Sequence, residues 1–349
     1  MKFYIFCVFT ILSCSLDFGD ALNERPIIGI LTQEITSHLN SSYPGHKQFI
    51  AASYVKFVEG GGGRVVPVWI NETETYYRDI MSKINGILFP GGSSGFKAKY
   101  GYAEAGYKIY KIAKEMNDAG SYFPIWGTCL GFELLTFVDA DKMEHRERCS
   151  SQDQPLPLEF VSEFKNHRLF SLASDDVIES LRTKDITSNF HNYCTVEEKL
   201  KEVNIDSNWI ALSHNSDWDG FRFISTIENT KYPFYGTQFH PEKNMYEWPT
   251  TKVITHDEDA TRANQYFARF FVEEARKSSN GFGSVTEERR HLIWNFPKTF
   301  SGAKGSVYSE VYLFKPEDDY PAKAFIMSKS ARSRPGLIEI ETDLNEDGL

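Results

Sequence analysis

Four short runs in the first part of the chain, Ile27–Leu31, Val65–Trp69, Gly86–Phe89 and Phe123–Trp126, are apolar almost throughout, and helical patterns separate them. A run of this kind has no side to present to water, so it fits a strand covered on both faces. Between the runs, Ile50, Tyr54, Phe57 and Val58 share one helical face, and Gly60–Gly63 ends that pattern as a glycine-rich C-cap. A polar helix is expected around Thr75–Lys83, and Ala105, Ile109, Ile112 and Met116 mark an amphipathic one that stops near Gly120. Strands alternating with helices predict an α/β fold with a mostly parallel central sheet and helices on both faces. Right-handed crossovers then bring the strand C-termini to one rim, where such folds hold ligands. Pro67 marks its strand as irregular or as a sheet edge.

Beyond about Glu144 the pattern loosens. Trp209–Ser213, Phe221–Ile227 and Phe234–Phe239 read as strands, and Ala263, Tyr266, Phe267, Phe270 and Phe271 define a closing helix. From about Lys315 the chain turns polar and charged, so residues 316–349 are expected to be a disordered tail. No clean linker divides 25–315, which is read as one domain.

The N-terminus reads as a secretory signal over residues 1–21. Lys2 supplies the positive start, Phe3–Leu12 is an apolar stretch too short to span a bilayer, and cleavage is expected near Gly19–Leu22. No later segment suits a membrane crossing, so no membrane association is expected once the signal is removed. A formal net charge of −10, with no Lys/Arg stripe, argues against a nucleic-acid partner. Export makes Asn40-Ser-Ser and Asn71-Glu-Thr candidate glycosylation sites. It also leaves three cysteines, Cys129, Cys149 and Cys194, of which at least one is unpaired within the chain. A 149–194 bridge is compatible with that count but not established by it.

The chemistry centres on Gly127-Thr-Cys-Leu-Gly131, placed between the fourth apolar run and a helix. A nucleophile on a sharp strand-to-helix turn needs small neighbours, which Gly127 and Gly131 supply. The helix dipole is expected to lower the pKa of Cys129. Nine histidines could serve as its base, and His240 is the best placed. It ends a strand, and Pro241 biases it toward an extended conformation that sets Glu242 on the same side. Such a carboxylate would orient the imidazole. Pro90-Gly91-Gly92 follows the third run, and the N–H groups of Gly92 and Leu130 are the expected oxyanion hole.

With these residues, the chain resembles the class I glutamine amidotransferase superfamily, with its Gly-x-Cys-x-Gly elbow and His-Pro-Glu segment. More closely it resembles the γ-glutamyl hydrolases. The matching stretches are 25–31, 50–56, 84–92, 123–133 and 235–243, in family order. The resemblance implies a glutamine amidotransferase-like fold with flavodoxin-like layers. It also implies hydrolysis of folate poly-γ-glutamate through a thioester on Cys129, with His240 as acid and base and Glu242 as its orienter. No cofactor or metal is implied. The family is associated with lysosomes and secretion, and often forms homodimers. Glutamine amidotransferases usually carry Gln four residues after the cysteine. Here that position is Glu133, a candidate to meet the substrate's α-ammonium or simply to cap helix contacts. Asn189-Phe-His191 resembles a family segment whose histidine lies near the site, which makes His191 a candidate substrate-binding residue, with a surface or core histidine as the other reading.

Two other functions fit the residues. An ammonia-releasing glutaminase would need a synthetase domain or partner, and the chain carries no such domain. A non-enzymatic folate or glutamate binder would have no use for both Cys129 and His240.

Overall fold

The computed structural model describes residues 22–321, so the expected signal peptide and nearly all of the expected tail lie outside the described residues. The main sheet is built from β1 (Ile27–Leu31), β2 (Arg64–Val68), β3 (Gly86–Phe89), β4 (Ile125–Thr128), β5 (Glu159–Phe160), β6 (Trp209–Ser216), β7 (Arg222–Asn229) and β8 (Phe234–Thr237). Their order is β2-β1-β3-β4-β8-β7-β6-β5. The first five strands of that order run parallel, and the last three continue antiparallel. β2 is the edge strand that Pro67 requires, since proline offers no N–H to a second neighbour.

Alternate residues of the parallel strands feed two separate cores. Ile27, Leu31, Ile87, Phe89 and Ile125 pack on one face against the helices α2 (Glu74–Met81), α3 (Tyr102–Asp118) and α4 (Leu130–Asp139). Ile28, Ile30, Leu88 and Trp126 pack on the other against α1 (Ala52–Gly60), α5 (Asp175–Thr183) and α6 (Glu258–Ala275). The apolar runs lack alternation because both faces are covered, and the layers are those of an α/β fold with helices on either side of the sheet. Trp126 is fully buried, with its ring centroid 5.8–6.2 Å from those of Phe57, Phe267 and Phe271.

One helical reading needs correction. Ile50 belongs not to α1 but to a strand, Gln48–Ala51, that leads directly into it. Ile50 pairs with Tyr312 in a small antiparallel sheet that also includes Val311–Phe314, Gln33–Glu34 and Lys298–Thr299. A separate two-stranded ribbon pairs Glu147–Leu156 with Thr187–Cys194. The packed chain continues past Lys315, because the Tyr320 hydroxyl donates to the Pro67 carbonyl at 2.6 Å and lies 2.7 Å from that of Tyr76. Among the described residues, no helix is long and apolar enough to cross a membrane.

Candidate active site

Strands β3, β4 and β8 end on the same rim because they are parallel neighbours, and each end contributes to one site. Cys129 follows β4 directly and has φ of +51°, in the left-handed region that few non-glycine residues adopt. Its own N–H is bonded to the Thr237 carbonyl at the end of β8 (2.8 Å). The tightness of this turn explains its glycines. A Cβ on Gly131 would lie 1.9 Å from the Phe89 carbonyl oxygen, and one on Gly127 would lie 2.5 Å from that of Gly131. The elbow expected from the sequence is present.

From β8 the chain runs through Gln238 and Phe239 to His240, whose N–H is held by the Ser188 carbonyl of the ribbon (2.9 Å). His240 Nδ1 lies 2.7 Å from Glu242 Oε1, and the two side chains are almost wholly buried. Tyr54 of α1, marked in the sequence only as part of an apolar helical face and of the matching stretch 50–56, adds its hydroxyl 3.2 Å from the same nitrogen and accepts the Gly91 N–H at 2.8 Å. A Cβ on Gly91 would meet His240 Cε1, the Tyr54 hydroxyl and Cys129 Cβ at 2.7, 2.7 and 3.1 Å, so the three side chains converge on this glycine.

The Pro90–Gly92 loop is clamped from both sides. The Pro90 carbonyl accepts from Gln33 Nε2 (3.1 Å) and from the Tyr102 hydroxyl (2.7 Å). Because Tyr54 engages the Gly91 N–H, that group is not free to meet a ligand. The Leu130 N–H reaches toward the Cys129 sulfur.

Electrostatics correct the expected effect of the helix dipole. Burial pushes the Cys129 thiol well up, the carboxylates of Glu133 and Glu242 push the same way, and the Leu130 N–H and Lys243 only partly offset them. Burial likewise pushes His240 down, outweighing the attraction of Glu242. Burial opposes charge on Glu242 as well, but His240 and Lys243 together hold its carboxyl below the usual range. Both shifts act in the same direction, toward the uncharged forms of the thiol and the imidazole.

Cys129 sits where two clefts meet, and Gly92, Ser93 and Phe190 also line both. The larger, about 530 Å³, is walled by His240 and by the cations Lys243 and Lys252. The smaller, about 380 Å³, is walled by Leu130, Glu133, Arg146 and His191. Glu133 and His191 thus both reach the site, in roles the sequence does not reveal. Glu133 is buried and bonded to Arg146 (2.8 Å) and Gln238 (3.1 Å), so its carboxylate is already engaged. Arg146 also binds Glu144 and lies over the Phe96 ring. It comes from the part of the chain beyond about Glu144, where the alternation of strands and helices loosens. His191 is buried, and burial, with His240 nearby, lowers its pKa to about 3. Cys149 and Cys194 form a disulfide, leaving Cys129 as the one free thiol among the described residues. Asn40 and Asn71 are both exposed.

The peptidase C26 family model matches residues 26–242. The γ-glutamyl hydrolase of Homo sapiens is 37% identical over 323 residues, covering 89% of this chain and 98% of that protein. That of Bos taurus is 38% identical over 298 residues (83% and 90%), and γ-glutamyl hydrolase 1 of Arabidopsis thaliana is 36% identical over 302 (84% of each). Among solved structures, a glutamine amidotransferase from Methylobacillus flagellatus is similar at a TM-score of 0.41 and 9% identity, over 75% of this chain and 98% of that one. On the extent of the sequence match, the chain belongs to the peptidase C26 family, alongside the γ-glutamyl hydrolases.

Proposed function

We propose that the protein hydrolyses γ-glutamyl bonds in folate poly-γ-glutamates, with Cys129 as nucleophile. The observation that carries this reading is the convergence of Cys129, His240 and the Gly91–Gly92 loop at the junction of two clefts. Glu242 engages Nδ1, which leaves Nε2 of His240 for proton transfer. His240 takes the thiol proton as sulfur attacks the γ-carbonyl carbon. The N–H groups of Gly92 and Leu130 receive the oxyanion. On collapse the C–N bond breaks, and His240 returns the proton to the departing amine. Water then attacks the thioester with His240 again as base, the C–S bond breaks, and the imidazolium returns its proton to the Cys129 sulfur as the γ-carboxylic acid leaves; Glu242 stabilises the imidazolium in both half-reactions.

Substrate chemistry changes the role of Glu133. In a pteroyl poly-γ-glutamate every α-nitrogen is acylated, so the chain offers α-carboxylates and no α-ammonium. Cations are needed to hold it, and Arg146 on one side of Cys129 with Lys243 and Lys252 on the other meet that need. Glu133 then serves to fix Arg146.

The proposal extends to the secretory pathway, with the protein lysosomal or extracellular. The disulfide favours an oxidising compartment, and the exposed Asn40 and Asn71 are accessible to glycosylation.

The test compares a pteroyl poly-γ-glutamate, an α-linked glutamate oligomer of equal length and free glutamine. Cleavage of the γ-linked chain alone is the expected result. Equal cleavage of the α-linked chain would contradict γ-specificity, and ammonia release from glutamine alone would favour a glutaminase.

A further inference from the structure

Independently of the hydrolytic reading, the geometry points to a latent metal site. When the Cys149–Cys194 disulfide is opened, the two thiolates and the imidazole of His191 bind a zinc-class divalent cation.

The first support is distance. His191 Nδ1 lies 3.6 Å from Cys149 Sγ and 3.5 Å from Cys194 Sγ. A tetrahedral zinc ion with Zn–S of ~2.3 Å and Zn–N of ~2.0–2.1 Å separates its nitrogen and sulfur ligands by roughly 3.6 Å. The nitrogen-to-sulfur edges of the polyhedron are therefore already in place. Only the two sulfurs must part, by side-chain rotation.

The second support is a conflict of protons. His191 Nε2 lies 3.1 Å from Asn189 Oδ1, and Nδ1 lies 3.1 Å from the Tyr193 carbonyl oxygen. Both neighbours are acceptors. The Asn189 amide orientation is fixed, because its Nδ2 donates to the carbonyls of Gln154 and Thr187. A neutral imidazole has one N–H, so only one contact is a hydrogen bond. With the proton on Nε2, the Nδ1 lone pair faces a carbonyl oxygen and two sulfurs, none of which donates. A cation between Nδ1 and two thiolates removes the conflict, and Nε2–H···Oδ1 of Asn189 becomes the outer hydrogen bond that orients a metal-bound histidine.

The third support is the scaffold. The two cysteines are on opposite strands of the ribbon, where Glu147 pairs with Cys194 and Ser151 with His191. Backbone pairing keeps them near each other after the disulfide is gone. Two thiolates with one imidazole favour zinc over magnesium or calcium, and the half-buried Cys149 leaves an approach for a fourth, water ligand.

The chemistry balances with an external dithiol. Thiol–disulfide exchange breaks the Cys149–Cys194 bond, two electrons and two protons pass to the cysteines, and the reductant closes to its own disulfide. Metal binding then displaces the two thiol protons.

Cobalt(II) is the probe, because thiolate ligation gives it near-ultraviolet charge-transfer absorption. The protein carrying Cys129→Ala, which removes the one free thiol among the described residues, is reduced anaerobically, freed of reductant and titrated. The expected result is one equivalent of cobalt with the thiolate band after reduction, and no band before it. Cys194→Ser should abolish the band, and Asn189→Ala should weaken affinity about tenfold. His191→Ala should weaken it at least as much. Absence of the band in reduced protein overturns the proposal, as does affinity unchanged by His191→Ala. Loss of near-ultraviolet circular dichroism on reduction also overturns it, because the site requires the ribbon to survive.

Discussion

Glu242 Oε1 lies 2.7 Å from His240 Nδ1, while its other oxygen is buried with no hydrogen-bond partner among the described residues. The imidazole is thus the one side chain among the described residues that is hydrogen-bonded to this carboxylate, whose charge has most effect when His240 becomes an imidazolium. Glu242→Gln keeps the shape and removes the charge. It should lower kcat by about 10²–10⁴-fold, the usual range for acid–base contributions, with little change in KM. Steady-state kinetics on a poly-γ-glutamate substrate checks this.

Tyr54 joins two parts of the site through one oxygen, His240 Nδ1 on one side and the Gly91 N–H on the other. Tyr54→Phe leaves that buried N–H without its acceptor and loosens the loop beside the oxyanion position. A lost hydrogen bond of ~1–1.5 kcal/mol corresponds to roughly a tenfold fall in kcat. KM should move less than kcat, and the measurement is the split between the two.

The buried thiol and imidazole predict two pH dependences. A thiol pushed up by burial and by Glu133 and Glu242 should react slowly with iodoacetamide near neutral pH, and faster as pH rises beyond the ordinary thiol value of 9.0. Removing one of those charges lowers the thiol pKa, so Glu133→Gln should speed labelling at fixed pH. Losing ~1.4 kcal/mol of repulsion raises the thiolate fraction about tenfold. His240 acts as base only when neutral, and burial pushes it below 6.5. The acid limb of kcat/KM should therefore fall below pH 6.5, which would keep the enzyme active in acidic surroundings.

How far the sequence is legible follows from how local each feature is. The runs at Ile27–Leu31 and Phe123–Trp126 and the aromatic face of α6 are visible because burial on both faces, or along one helical stripe, is written in neighbouring residues. Ile50 reads as helical because its strand gives way to α1 without a break, and its partner Tyr312 is far along the chain. Arg146 lies outside the matching stretches, and Tyr54 lies within one that gives it no role. Their importance lies in His240 and Glu133, which only the folded chain brings to them. The raised pKa of Cys129 is hidden for a related reason, since the helix dipole is a local property and burial is a property of the whole site.

The elbow glycines give a stability prediction. Gly131→Ala places a Cβ against the Phe89 carbonyl, a backbone atom that cannot swing aside. The cost should be about 1–3 kcal/mol or more, seen as a fall of several degrees in Tm. Gly281→Ala, whose Cβ would meet nothing within 4 Å, should leave Tm almost unchanged.

The central claim is that Cys129 forms the covalent bond to substrate. The most direct measurement incubates wild type and Cys129→Ala with a pteroyl poly-γ-glutamate and follows shortened folates and free glutamate by mass spectrometry, with circular dichroism confirming that both are folded. The account predicts shortening by wild type and none above background by Cys129→Ala. Wild-type rates from a folded Cys129→Ala would contradict it.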